Sequence, residues 1–132
     1  MKGTMFKITA AAAVMSLTLL FGAAVAFAAE IDSADEIDAP GEYTLASDIE
    51  GSAVLSDGTY TIDLNGNTWT GSLTVQGATV TITDFSSDHS GLMTAADNDV
   101  IMAEGGSLTA TGIKIEGYAS GCDGIFVTGG KV

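Results

Sequence analysis

The chain has 132 residues, with 17 acidic side chains against four lysines and no arginine, for a net charge of −13 at pH 7. Such a surface repels nucleic acid and polyanionic sugars, so neither is expected as a partner. The single cysteine, Cys122, excludes an internal disulfide. Stability must therefore come from burial and backbone pairing, and Cys122 is expected as a small residue at a corner.

The first residues have the layout of an export signal. Lys2 and Lys7 precede an apolar, Ala-rich run over Ile8–Val25, and Ala26-Phe27-Ala28 supplies the small residues that a signal peptidase needs. Residues 1–28 are read as a signal peptide cleaved before Ala29. The alternative is an uncleaved anchor helix, because the apolar run is borderline for spanning a bilayer. No cysteine stands directly after the run, so a lipid-modified N-terminus is not expected. The mature chain is then extracellular or on the cell surface, with no integral membrane segment. All 17 acids remain against Lys114 and Lys131 alone, which leaves a net charge of −15.

Residues 29–41 form an acidic leader or an N-terminal cap. Ser33-Ala-Asp-Glu36 fits a capping box, which predicts one helical turn before Pro40 and Gly41. From Glu42 onward the pattern is β. Strands are predicted at Tyr43–Leu45, Ala53–Leu55 and Thr59–Leu64, then around Leu73/Val75, Val80/Ile82, Ile101/Ala103, Leu108/Ala110, Ile113/Ile115 and Ile125/Val127. Gly, Asn and Asp corners separate them.

Two all-β architectures fit strands of this length. Asn65-Gly66 between alternating runs is a hairpin signal and favours an antiparallel sandwich. Against it stands a repeat: Ile101-Met-Ala-Glu-Gly105-Gly106-Ser-Leu108 returns 24 residues later as Ile125-Phe-Val-Thr-Gly129-Gly130-Lys-Val132. Hairpins have no reason to keep such a register, whereas stacked coils place residue i beneath residue i+24. The favoured fold is therefore a parallel β-helix, a solenoid with three short strands per coil. In one coil these are Val100–Glu104, Ser107–Ala110 and Ile113–Glu116, with a corner at Gly105-Gly106. One coil earlier, Val75, Gly77 and Val80 match Ala103, Gly105 and Leu108 at an offset of 28, so about four extra residues are placed at Asp84–Gly91. An offset of 11 aligns Leu64, Gly66 and Trp69 with Val75, Gly77 and Val80, which points Trp69 inward. Val132 falls in mid-strand, so residues 42–132 are expected to be truncated coils that continue in a longer chain.

Glu42-Tyr-Thr-Leu-Ala-Ser-Asp-Ile49, Thr61-Ile-Asp-Leu-Asn-Gly66, Thr79-Val-Thr-Ile-Thr-Asp84 and Gly105–Ile113 resemble the coils of secreted bacterial right-handed parallel β-helix proteins. These have the pectin-lyase-like fold, and the likeness is to the cell-surface and adhesin type. The fold hosts lyases, hydrolases, adhesins and scaffolds alike, so it does not settle function. The resemblance implies a secreted or surface scaffold whose partners are host or matrix glycans or proteins. Enzymes of the group use an arginine or lysine base with acidic calcium ligands, or paired aspartates near a Gly-His-Gly. Here arginine and both motifs are missing, and no catalytic, cofactor or metal residue is assigned. The alternatives are the N-terminal part of a polysaccharide-degrading enzyme or a small carbohydrate-binding β-sandwich.

Four features invite a site reading. Asp97-Asn98-Asp99 lacks the ligand spacing of a calcium loop and is read as a turn. His89, beside Asp88, has no nucleophile or second histidine and is read as a loop residue. Trp69 is read as core rather than as a sugar platform. Met102 and Phe126 share one outward column, which makes a contact strip or a surface covered by later chain equally good readings.

Overall fold

The computed structural model describes residues 28–117 and 120–132, so the signal-peptide reading of residues 1–28 falls outside them except at Ala28. The described chain is all-β: eleven strands and one three-residue 3-10 turn. The strands are β1 (Ala29–Ile31), β2 (Gly41–Leu45), β3 (Ile49–Glu50), β4 (Ala53–Leu55), β5 (Thr59–Asp63), β6 (Thr68–Thr70), β7 (Leu73–Thr83), β8 (Leu92–Ala95), β9 (Ile101–Thr111), β10 (Lys114–Gly117) and β11 (Ile125–Val127). A seven-stranded sheet runs β1-β2-β5-β7-β9-β11, with β4 also on β7. A four-stranded sheet runs β10-β8-β6-β3. Every strand pair is parallel. The antiparallel sandwich is thereby ruled out for the described residues.

The chain alternates between the sheets, and each pass lies against the one before. Alternation along the strands decides which side chains enter the space between the sheets. In β5, Tyr60 and Ile62 point in while Thr59, Thr61 and Asp63 point out. Register then stacks like on like. Ala53, Leu73, Ile101 and Ile125 form one inward column, and Tyr60, Val80 and Leu108 form another. Ile49, Trp69, Met93 and Ile115 supply the facing column from the smaller sheet. These residues form the core, each large aliphatic contributing about 1.5–3 kcal/mol on full burial.

The 24-residue return is a physical register, since Ile125, Phe126 and Val127 pair with Ile101, Met102 and Ala103. Other details of the sequence reading change. Gly105-Gly106 is not a corner between two strands. β9 runs through it as one 11-residue strand, and so does β7 beneath it, with a bulge where Gln76 pairs with Gly105 and Thr79 with Ser107. The glycine is needed because Gly106 has φ +80 and lies on the backbone below, where a Cβ would overlap the carbonyl of Ala78. One pass higher Gly130 repeats this, with φ +77 and space for a Cβ only 2.6 Å from the Gly106 carbonyl oxygen.

Trp69 is fully buried, but its neighbours are Ile49 and Met93 rather than residues of β7, so the offset of 11 does not exist. The long pass has two added corners, not one. Ile62 pairs with Ile82, 20 residues on, and Trp69 with Met93, 24 on, which places four extra residues at Asp84–Gly91. Thr70 pairs with Thr94, 24 on, and Leu73 with Ile101, 28 on, which places four more between Thr94 and Ile101. Asn65-Gly66 makes the tight turn its residues favour, with φ +50 and +76 and the Asn67 amide bonded to the Leu64 carbonyl at 2.8 Å. The turn joins β5 to β6, which lie in different sheets, so it turns a corner and closes no hairpin.

At the first end, the capping box forms around the 3-10 turn Ala34–Glu36: the Ser33 hydroxyl accepts from the Asp35 amide, and the Glu36 carboxylate accepts from the amides of Asp32 and Ser33. Ala34 and Ile37 enter the core, and β1 pairs with β2. Residues 29–41 therefore pack on the first pass. At the other end burial declines. Ile113, Ile115 and Ile125 are only partly buried, and Val127 is 50% exposed.

Candidate functional site

Between the sheets, where backbone ladders stop, side chains of Asp, Asn and Ser bond the backbone of the adjacent pass. Asp48 accepts from the Thr68 amide at 2.8 Å, and Asn67 donates to the Leu45 carbonyl at 3.0 Å. Asp63 accepts from the amides of Asn65 at 2.9 Å and Phe85 at 3.0 Å. The Ser72 hydroxyl donates to the Asp99 carbonyl at 2.7 Å, and the Asp99 carboxylate accepts from the Asp123 amide at 2.6 Å. Asp97-Asn98-Asp99 is thus a corner, and its Asp99 is engaged with the next pass. Among the described residues, no three His, Cys, Asp or Glu side chains are grouped to hold a metal ion.

Asp84 is the strongest of these braces. It is the one acidic side chain in the described core, 2% exposed. One oxygen accepts from the amides of Gly66 and Ser86, each at 2.9 Å, and the other from Gly91 at 2.6 Å. Burial alone would push its carboxyl up. The Ser86 hydroxyl and the amides of Gly91, Ser86 and Gly66 outweigh burial and hold it at about 2. Asp84 so closes the loop 84–91 and ties it to the Asn65-Gly66 corner one pass earlier. His89 belongs to the same loop, its Nδ1 2.8 Å from the Asp84 carbonyl oxygen. Asp88, exposed at the tip, is held below the usual carboxylate range by the hydroxyls of Ser90 and Ser86.

A shallow groove of about 600 Å³ lies beside the smaller sheet, lined by Asp32, Ser33, Asp48, Ile49, Glu50, Thr68 and Thr70. Asp48 is engaged with the Thr68 amide and Ser47 donates to Asp32 at 3.3 Å, so these carboxylates serve the fold. Thr94 follows Thr70 in the next pass. It is buried, and its hydroxyl has no hydrogen-bond partner.

The outer wall is ordered in columns. Met102 and Phe126 do share one, above Thr74 and Val54. Met102 is half-buried and Phe126 is 42% exposed. Cys122 is half-buried with a free thiol. Residue reasoning missed a second set of columns, formed by the outward positions of β5 and of the later halves of β7 and β9. Thr59, Thr79 and Ser107 are adjacent in register, as are Thr61, Thr81 and Thr109. The signal was present as Thr-x-Thr at 59–61 and 79–81 and Ser-x-Thr at 107–109.

No family model, curated protein or solved structure matches the chain.

Proposed function

We propose that the chain is a right-handed parallel β-helix of the pectin-lyase-like kind, exported by its N-terminal segment and acting outside the cell as a surface scaffold or adhesin-type protein. The observation that carries this reading is the register. Parallel strands place equivalent side chains above one another pass after pass, so the outer wall offers repeated copies of one chemistry to a partner. The carboxylates at the corners support a structural reading of the acidic residues, because Asp48, Asp63, Asp84 and Asp99 all spend oxygens on backbone amides. The strong negative charge favours neutral or basic partners, namely host or matrix glycans or proteins, over polyuronates and nucleic acids.

The test is production of the whole chain in an exporting bacterium. Mass analysis is expected to find a product beginning at Ala29 in the medium or on the cell surface, and that product is expected to bind a glycan array or immobilised matrix proteins. An intact N-terminus on protein retained in the cytoplasm would defeat the export half. A mature product that binds no glycan or matrix protein would defeat the adhesin half.

A further inference from the structure

The two hydroxyl columns have a property that a general binding wall does not need: they form a lattice. Thr59 and Thr61, Thr79 and Thr81, and Ser107 and Thr109 occupy alternate positions on three adjacent parallel strands in unbroken register. Adjacent strands lie about 4.8 Å apart, and alternate residues on one strand about 6.6 Å apart. All six side chains are exposed or half-exposed. Among the described residues, none of their hydroxyls makes a hydrogen bond within the protein. Threonine is stiff about χ1, so the hydroxyls and methyls are held in place before any partner arrives.

Charge narrows the partner. The chain carries 17 acids, yet none occupies these six positions; Asp63, the next outward residue after Thr61 on β5, Glu42, beside Thr61, and Lys131, beside Ser107, fall at the margins. An uncharged patch in so acidic a surface suits a neutral partner and gives no purchase to an ion. None of the six is aromatic, which removes the flat apolar platform that a sugar ring would stack on. What remains is a rigid two-dimensional grid of hydroxyls and methyls. Its complement is a neutral solid with its own oxygen grid, and the oxygen repeats of hexagonal ice are of the same scale in both directions.

We infer that this face binds ice, with the hydroxyls taking lattice positions and the methyls ordering the water between them. The inference needs only the observed register of β5, β7 and β9, so it stands or falls separately from the adhesin reading. The experiment is the growth of ice crystals in a solution of the purified protein, with the freezing and melting points measured separately. Faceted crystals and a freezing point below the melting point are expected. T81K, at the centre of the grid, is expected to abolish both effects with an unchanged circular dichroism spectrum, while T70K on the smaller sheet leaves them intact. Should T81K fail to fold, T109K, at a more exposed place on the same column, is expected to give the same loss. Rounded crystals with coincident freezing and melting points in the unmodified protein would overturn the inference. So would ice activity that survives both grid variants, or binding to crystalline cellulose or chitin without any effect on ice.

Discussion

At the scale of single residues, the molecule depends on polar side chains that stand in for missing backbone ladder. Asp84 concentrates that role. D84N would set an amide NH₂ against the Gly91 amide and leave a buried donor unpaired, at a cost of about 1–3 kcal/mol. Chemical denaturation should record that loss, and hydrogen exchange should place the lost protection at Gly66 and Gly91. The same carboxylate sets an acid limit. Its folded pKa, about 2, lies below the value of about 3.9 for an unfolded aspartate. Its contribution is therefore full above about pH 4 and disappears as pH falls toward 2. In wild type, loop amide protection should weaken over that window, and in D84N that component of the acid response should be missing. Thr94 is the opposite case, a buried hydroxyl without a partner. T94V removes the orphan while keeping the shape, and is expected to raise stability by about 1 kcal/mol in the same denaturation experiment.

At the scale of elements, the long strands β7 and β9 set the register, and their kink demands glycine for two separable reasons. At Gly106 an added methyl meets both a left-handed φ and an adjacent carbonyl; at Gly121, with φ +84, nothing lies within 4 Å of a Cβ. G121A should therefore cost only the conformational term, about 1–2 kcal/mol. G106A should cost clearly more, because β9 must also lift off β7. Thermal melts of the two variants test the ranking.

Legibility followed the same division. Strands with two inward apolar residues, such as Ala53–Leu55 and Ile125–Val127, were plain in the sequence, and so was the 24-residue register, because alternation and vertical likeness are written in residue type. Of the smaller sheet only β10 was, through Ile113 and Ile115. β3 has two residues and β6 has three, so each offers a single buried side chain, Ile49 or Trp69, and no period. The double glycine was misjudged as a corner because sequence marks a positive φ but not whether pairing continues across it. The Asn65-Gly66 turn was legible in type and misleading in consequence, since a tight turn does not fix whether its flanking strands share a sheet. The corner carboxylates were hidden because their partners lie about 20 residues away, a distance that only the fold closes. The hydroxyl lattice was hidden because its rows recur at unequal offsets, 20 and then 28.

At the scale of the whole molecule, the two ends differ. β1 and β11 are the two terminal strands of the larger sheet; Ala34 and Ile37 enter the core at the first end, whereas at the other Phe126 is 42% and Val127 50% exposed. Such an edge pairs readily with another chain. The Thr128 amide bonds to Ala103 on β9, so by strand alternation the Val127 amide faces away from β9. Proline there removes an outward donor and leaves the internal ladder intact. V127P is expected to lower self-association in sedimentation velocity while the circular dichroism spectrum is unchanged. Loss of the β spectrum would instead place that amide inside the ladder.

Because Ile101 and Ile125 occupy equivalent places in adjacent passes, a tandem copy of residues 101–124 inserted directly after Gly124 has a seat already shaped for it. The molecule can lengthen by a whole storey that pairs with β9 as β11 does now and offers β11 the same residues in turn. Extra residues at a corner, as at 84–91 and between Thr94 and Ile101, leave the columns in register, whereas one residue added within a strand would swap its inward and outward faces. Growth along the axis is accordingly quantised, with the duplicated segment as its unit, while the corners take smaller additions.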